Sequence, residues 1–214
     1  MKKIFLIGDS IRAGYDSVVK DALKDVAQVY YPNDNCRFAE YVLRHLIDWK
    51  TELKLGDDID CVHWNCGLWD TLEIFEDGTL TPLSAYENFI ERICRQMKRL
   101  FPNAKCIFAT STPVLEEKFL TPDILIRRNS DIEKFNKAAI EIVKRYGHEV
   151  DDLYSIVAGV PKSYYSDMTH LYTPEGTKVI SSKVISVIAK SLDIPKELIK
   201  YDFDVNTDIE IVGL

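Results

Sequence analysis

The sequence predicts an α/β protein: a mostly parallel five-stranded sheet with helices packed on both faces. Three observations lead there. Short apolar runs alternate with stretches of helical periodicity along the whole chain. One of those runs, AKCIFATSTPV, is almost continuously apolar, as a strand covered on both faces must be. The length, 214 residues, suits one sizeable core and is short for two, so residues 1–214 are read as one domain.

The elements follow in order. KIFLIG is a buried strand, a helical stretch runs from about Asp16 to Ala27, and QVYYP is the second strand. RFAEYVLRHLIDWK places Phe38, Tyr41, Val42, Leu46 and Trp49 at helical spacing, which makes it the second helix. DIDCVHWNCG gives a third strand. After the loop EDGTLTP, Ser84 is expected to cap a helix through YENFIERICRQMKRLF, with Pro102 and Asn103 beyond its end. AKCIFATSTPV is the fourth strand. A long helix follows from about Ser130 to Tyr146, closed by Gly147. HEVDDLY supplies a short fifth strand, and a small helix comes next. Thr173 as N-cap with Pro174 at the first helical position opens the last helix, EGTKVISSKVISVIAKSL. The segment 196–214 fits no βα unit and is read as an extension, an edge strand or an interaction arm.

Composition excludes several function classes. Hydrophobic residues at 46% and charged residues at 29% describe a folded globular chain. A net charge of -7 argues against nucleic acid or an anionic membrane as a partner, because phosphates would meet excess carboxylate. No apolar run approaches the roughly 18 residues of a membrane span. The run from Ile4 to Ile7 is too short for a signal peptide, so the chain reads as soluble and cytoplasmic. Five cysteines (Cys36, Cys61, Cys66, Cys94, Cys106) without CxxC spacing read as buried free thiols, and Cys66 with His63 is too small a set for a metal. No cofactor motif is present: GxGxxG and GxxxxGK[ST] are both absent.

Chemistry concentrates at two places. Ser10 follows the first strand in IGDSIRAGY, at the strand's carboxyl end, where parallel sheets bind ligands. Taken alone it is equally well a helix cap. A serine nucleophile needs a base, most often a histidine oriented by a carboxylate. Of the four histidines, His45 falls in an amphipathic helix, His148 follows a capping glycine, and His63 lies in a strand. His170 stands in a loop before a capped helix, three residues after Asp167, whose carboxylate can fold back onto its Nδ1.

GDS after the first strand and DxxH before the last helix resemble the SGNH (GDSL-like) hydrolases. IGDSIRAGY matches that family's first block and SDMTHLYTPEGTKVIS its last, so that the resemblance spans Lys3 to about Leu192. It implies a flavodoxin-like three-layer α/β/α sandwich. It also implies Ser10 as nucleophile, His170 as general base and then acid, and Asp167 as the orienting carboxylate. In the family the oxyanion is held by the serine's N–H, by a glycine after the second strand and by the asparagine of Gly-x-Asn-Asp. Here YPNDNCRFAEY lacks the glycine, so the backbone N–H of Cys36 or its neighbour takes its place. HWNCGLWD aligns Gly67 and Asp70 but puts Trp69 at the asparagine. Asn65 shares a face with residues 67 and 69 on an extended chain and is preferred as the donor over the Trp69 indole. The oxyanion set is thus Ser10, Cys36, Asn65 and Gly67, and Arg12, Trp69, Tyr164 and Tyr165 are candidate substrate contacts at the mouth. Asp9 and Asp70 are read as loop-fixing carboxylates.

The reading is a serine esterase for small acyl esters, such as acetyl groups on carbohydrate, without metal or cofactor. Its partner is a small-molecule or carbohydrate ester, and homo-oligomerisation is left open. Two alternatives stand beside it: an O-acyltransferase with the same triad, and a non-catalytic module holding an anion or carbohydrate at the Gly8–Ser10 turn.

Overall fold

The computed structural model describes residues 1–119 and 124–203. Five strands form one parallel sheet: β1 (Lys2–Ile7), β2 (Ala27–Tyr30), β3 (Cys61–Trp64), β5 (Lys105–Ala109) and β7 (Glu149–Asp151), in spatial order β2-β1-β3-β5-β7. The chain moves outward in one direction to β2 and then in the other from β3, so the order reverses beside β1. That is where a parallel α/β sheet opens a crevice.

β1 shows how one strand serves two cores. Ile4 and Leu6 face the layer of α1 (Ser10–Leu23), α5 (Leu153–Ala158) and α6 (Pro174–Ser191), packing with Tyr15, Val19, Val184 and Ile188. Phe5 and Ile7 face the layer of α2 (Ala39–Glu52), α3 (Leu83–Leu100) and α4 (Asn129–Arg145), packing with Val42, Leu46, Ile90 and Met97. All four strand residues are fully buried. Alternating side chains on a strand buried on both faces require this unbroken apolar run.

Three elements depart from the sequence expectation. Helix α1 begins at Ser10, not near Asp16, because the Asp9 side chain accepts from Ile11 N–H (2.9 Å) and caps it. Helix α3 is not capped by Ser84. Pro82 holds the cap position, and its carbonyl accepts from the N–H groups of Ala85 and Tyr86. The loop after β3 carries the two-residue strand β4 (Glu73–Ile74), paired antiparallel with β6 (Leu125–Ile126). Such short pairs leave no hydrophobic period to read.

The other ends behave as expected. Thr173 caps α6 through Gly176 N–H with Pro174 at its start, and Gly147 takes φ +78° after α4. Of the extension, residues 196–203 are described, and they form no strand. Lys196–Leu198 make one 3₁₀ turn, Lys200 N–H donates to Ala22 O (3.0 Å), and Tyr201 and Phe203 pack on the α1/α6 side. The remainder of the extension lies outside the described residues. Among those described, no helix is long and apolar enough to cross a membrane. All five cysteines are free, and only Cys106 is more than marginally exposed.

Candidate active site

The segment after β1 meets the loop before α6, which the segment after β5 also touches through Leu115 N–H on Met168 O (2.8 Å). Ser10 is the first residue of α1, and because Asp9 caps the helix the serine hydroxyl is not spent on that task. It is hydrogen-bonded to His170 Nε2 at 2.8 Å, and His170 Nδ1 meets Asp167 Oδ2 at 2.7 Å. An ionised carboxylate only accepts, so Nδ1 carries the proton and Nε2 is the acceptor for the Ser10 O–H.

Local bonds build the Asp167–His170 loop. Asp167 Oδ1 accepts from the N–H groups of Thr169 and His170, both at 2.7 Å, and Ser166 N–H closes the turn on His170 O (2.8 Å). One carboxylate thus fixes both the backbone and the ring it orients. Partial burial pushes the Asp167 carboxyl up, but the N–H groups of His170 and Thr169 and the imidazole outweigh it and hold it below its ordinary range. Asp167 is therefore the carboxylate, not the acid, at neutral pH.

Tyr172 was not singled out from the sequence, and it touches two members of this chain, Ser10 and His170. Its ring stacks on His170 (centroids 4.6 Å apart, 25° between planes), and its hydroxyl donates to Ser10 O at 2.5 Å. Gly14 makes room for it: a Cβ there would lie 2.6 Å from Tyr172 Cε1. The glycine in IRAGY and the tyrosine in HLY are complementary shapes, a relation no one-dimensional pattern displays.

The remaining site expectations divide. Gly67 is buried with φ +142°, a conformation that favours glycine, and an added Cβ would meet Ser111 Oγ at 2.7 Å. The N–H groups of Ser10 and Gly67 have no partner among the described residues. Cys36 does not offer its N–H, which donates to Gly8 O (3.2 Å), and its neighbour Arg37 donates to Asn35 Oδ1 (2.9 Å). Asn65 is buried and its Nδ2 donates to Ala109 O (2.9 Å), tying the end of β3 to that of β5.

Two residues expected at the mouth are inside the protein. Arg12 is 3% exposed, reaching Gly8 O, Asp16 (2.5 Å) and Asp34 O (2.5 Å), because α1 starts early enough to turn it inward. Tyr165 is also buried, its hydroxyl on Pro113 O (3.0 Å). Tyr164 packs against the α1/α6 core and accepts from Thr173 Oγ1 through its carbonyl (2.7 Å). Trp69 is half-buried.

The bystander carboxylates and histidines have structural partners. Asp70 is fully buried and accepts from Ala39 N–H (3.0 and 3.2 Å), capping α2 where Phe38 cannot. Burial pushes its carboxyl up to about 7 against the opposing bonds from Thr81 and Ala39. Burial likewise raises Asp9, opposed by Ile11 N–H and by the charges of Arg127, His170 and Arg12. His63 is fully buried on Asp151 (3.0 Å), and His148 accepts from the Trp64 indole (3.3 Å). His45 stacks between Tyr41 and Trp49 on α2. Arg127, just past β6, also escaped the sequence reading: its Nε donates to Leu68 O (2.6 Å) in the loop after β3.

Neither the protein-family models nor the curated proteins contain a match. Solved structures do match. A lipase/acylhydrolase from Enterococcus faecalis is 20% identical, with 89% of this chain and 96% of that one covered at a TM-score of 0.67. A GDSL-like lipase from Bacteroides thetaiotaomicron is 18% identical over 89% of each chain, at 0.64. An acetylxylan esterase from Geobacillus stearothermophilus is 15% identical, with 94% and 97% covered, at 0.66. The described chain therefore has the α/β fold of the SGNH (GDSL-like) hydrolases.

Proposed function

We propose that the protein is an SGNH-type serine esterase that hydrolyses small acyl esters, acetyl esters of carbohydrate among them, through an acyl-enzyme on Ser10. The observation that carries this reading is the unbroken chain from Ser10 Oγ through His170 to Asp167, at 2.8 and 2.7 Å.

In this mechanism His170 Nε2 takes the Ser10 proton as Oγ attacks the ester carbonyl, and Asp167 stabilises the imidazolium. The tetrahedral intermediate collapses as His170 returns the proton to the departing alcohol. Water, deprotonated by the same imidazole, then attacks the acyl-enzyme and releases the acid and free Ser10.

Esterase and lipase names among the structural neighbours support the reaction class, and two of those neighbours are named as acetylxylan or acetyl xylan esterases. The competing idea of an anion site at the Gly8–Ser10 turn gains nothing here. The Ile11 N–H that such a site would use is taken by the Asp9 side chain, and an anion site has no need of the Ser10–His170–Asp167 chain.

A fluorophosphonate probe tests the reading. Wild-type protein should label stoichiometrically, and Ser10→Ala, still folded by circular dichroism, should not. Equal labelling of the two, or none of the folded wild type, defeats the proposal.

A further inference from the structure

Resting on that serine-esterase reading, we propose that Arg127 is a catalytic residue: its guanidinium binds the oxyanion, taking the role for which the sequence offers Asn65 or Trp69. An oxyanion site needs N–H donors that are not already committed. Ser10 and Gly67 have no partner for theirs among the described residues, whereas Cys36 and Arg37 have donated theirs to Gly8 O and Asn35 Oδ1, and Asn65 has one of its two Nδ2–H groups tied to Ala109 O. Asn65 is only 6% exposed, so its amide is fixed between strand ends.

Arg127 has the opposite character. The β4–β6 pairing, with Glu73 opposite Ile126, lays the residue after β6 across the loop that follows β3. There its Nε is anchored on Leu68 O, between Gly67 and Trp69, and the same carbonyl accepts from Thr71 Oγ1 (3.2 Å). That one bond is all the Arg127 side chain makes among the described residues, with which it forms no ion pair, so neither terminal amino group of the fork has a partner among them. Arg128 next door is spent differently, on Glu73 (3.2 Å) and Glu76 (3.4 Å).

The charge also lies where the reaction occurs. Burial lowers the Arg127 pKa, and the carboxylates of Asp9, the residue before Ser10, and of Asp167 oppose that loss, so the guanidinium sits within electrostatic range of both. As the bond from Ser10 Oγ to the carbonyl carbon forms, the π electrons move onto the carbonyl oxygen and the serine proton goes to His170. A cation anchored beside Gly67 then faces charge that exists only in the transition state and intermediate, which is where a donor accelerates the reaction. On collapse the C–O bond to the alcohol breaks and the charge is withdrawn. Arginine suits the task because one nitrogen can hold the protein while the others bind the oxyanion.

The test compares wild type, Arg127→Gln, Arg127→Lys and Asn65→Ala on p-nitrophenyl acetate, after fluorophosphonate labelling has shown that Ser10 reacts. Failure of wild type to label defeats the esterase reading itself and is thereby separate from failure of this proposal. With labelling established, Arg127→Gln should lower kcat by about 100-fold with KM held within about threefold, the usual loss for one oxyanion donor. Its affinity for an arylboronic acid, which forms a tetrahedral anionic adduct, should fall in parallel, and Asn65→Ala should keep kcat within about threefold. Arg127→Lys has one short head for two partners, and should lose at least about tenfold in kcat; it serves as the readout if Arg127→Gln does not fold. A kcat within threefold for the readable variant, a loss confined to KM, or a 100-fold loss on Asn65→Ala alone overturns the assignment.

Discussion

Gly14→Ala tests whether the active-site geometry is held by Tyr172. In isolation the substitution favours α1, since alanine is better than glycine inside a helix by about 1 kcal/mol. The structure opposes it. The new Cβ would stand 2.6 Å from Tyr172 Cε1 and 2.9 Å from Cδ1, against a normal carbon contact of about 3.5–4.0 Å. The ring must retreat by about 1 Å. That displacement breaks the 2.5 Å bond to Ser10 O and the stacking on His170, both of which depend on the same ring. Overpacking typically costs about 1–3 kcal/mol, so the gain in helix propensity leaves a net loss of at most about 2 kcal/mol. Turnover is hit harder: a misplacement of about 1 Å can cost about 100-fold, and an effect transmitted through Tyr172 should fall between about 10- and 100-fold in kcat. The assay is p-nitrophenyl acetate hydrolysis by wild type, Gly14→Ala, Tyr172→Ala and the double variant, with urea unfolding in parallel. If the coupling runs through the tyrosine, Gly14→Ala has no further effect on kcat once the ring is gone. The same loss in the Tyr172→Ala background as in wild type would refute the reasoning.

Two further outcomes follow from the carboxylates. Asp167→Asn should lower kcat by up to about 10⁴-fold, because an amide can present its N–H to Nδ1 and stabilise the wrong tautomer, and it cannot stabilise the imidazolium; a loss under tenfold would remove Asp167 from the mechanism. Asp70 has a raised carboxyl, about 7 in the fold against 3.8 for the ordinary group. Its contribution to stability is thus fully present below about pH 4 and is lost as pH rises toward 7. Asp70→Asn keeps an acceptor for Ala39 N–H without a charge, and should flatten the fall in unfolding free energy between pH 5 and 8 seen by urea titration. An unchanged slope would mean that Asp70 is ionised throughout that range.

The fold was legible because its signals are local. Four strands of the sheet, β7 excepted, are short runs of mostly apolar residues, each helix carries a stripe or a cap, and alternation of the two permits few topologies. Boundaries were less legible where a cap competes with propensity. The helical stretch was expected from about Asp16, yet Asp9 starts the helix at Ser10 and turns Arg12 inward onto Asp16. The two-residue pair β4–β6 exists only because its halves meet across 50 residues of chain, so Arg127 could not be placed from sequence.

The sequence by itself determined the α/β class and nominated Ser10, Asp167 and His170, because these rest on periodicity and on two short blocks of residue types. Tertiary structure alone decided what surrounds them. Whether an N–H is free to hold an oxyanion depends on which carbonyl packs against it. Cys36 and Asn65 had donors of the right kind and found partners elsewhere, while Tyr172 and Arg127 reached Ser10 and the loop after β3 from distant parts of the chain. Competition for hydrogen bonds and for space is settled among neighbours in three dimensions, and neither is written in the order of the residues.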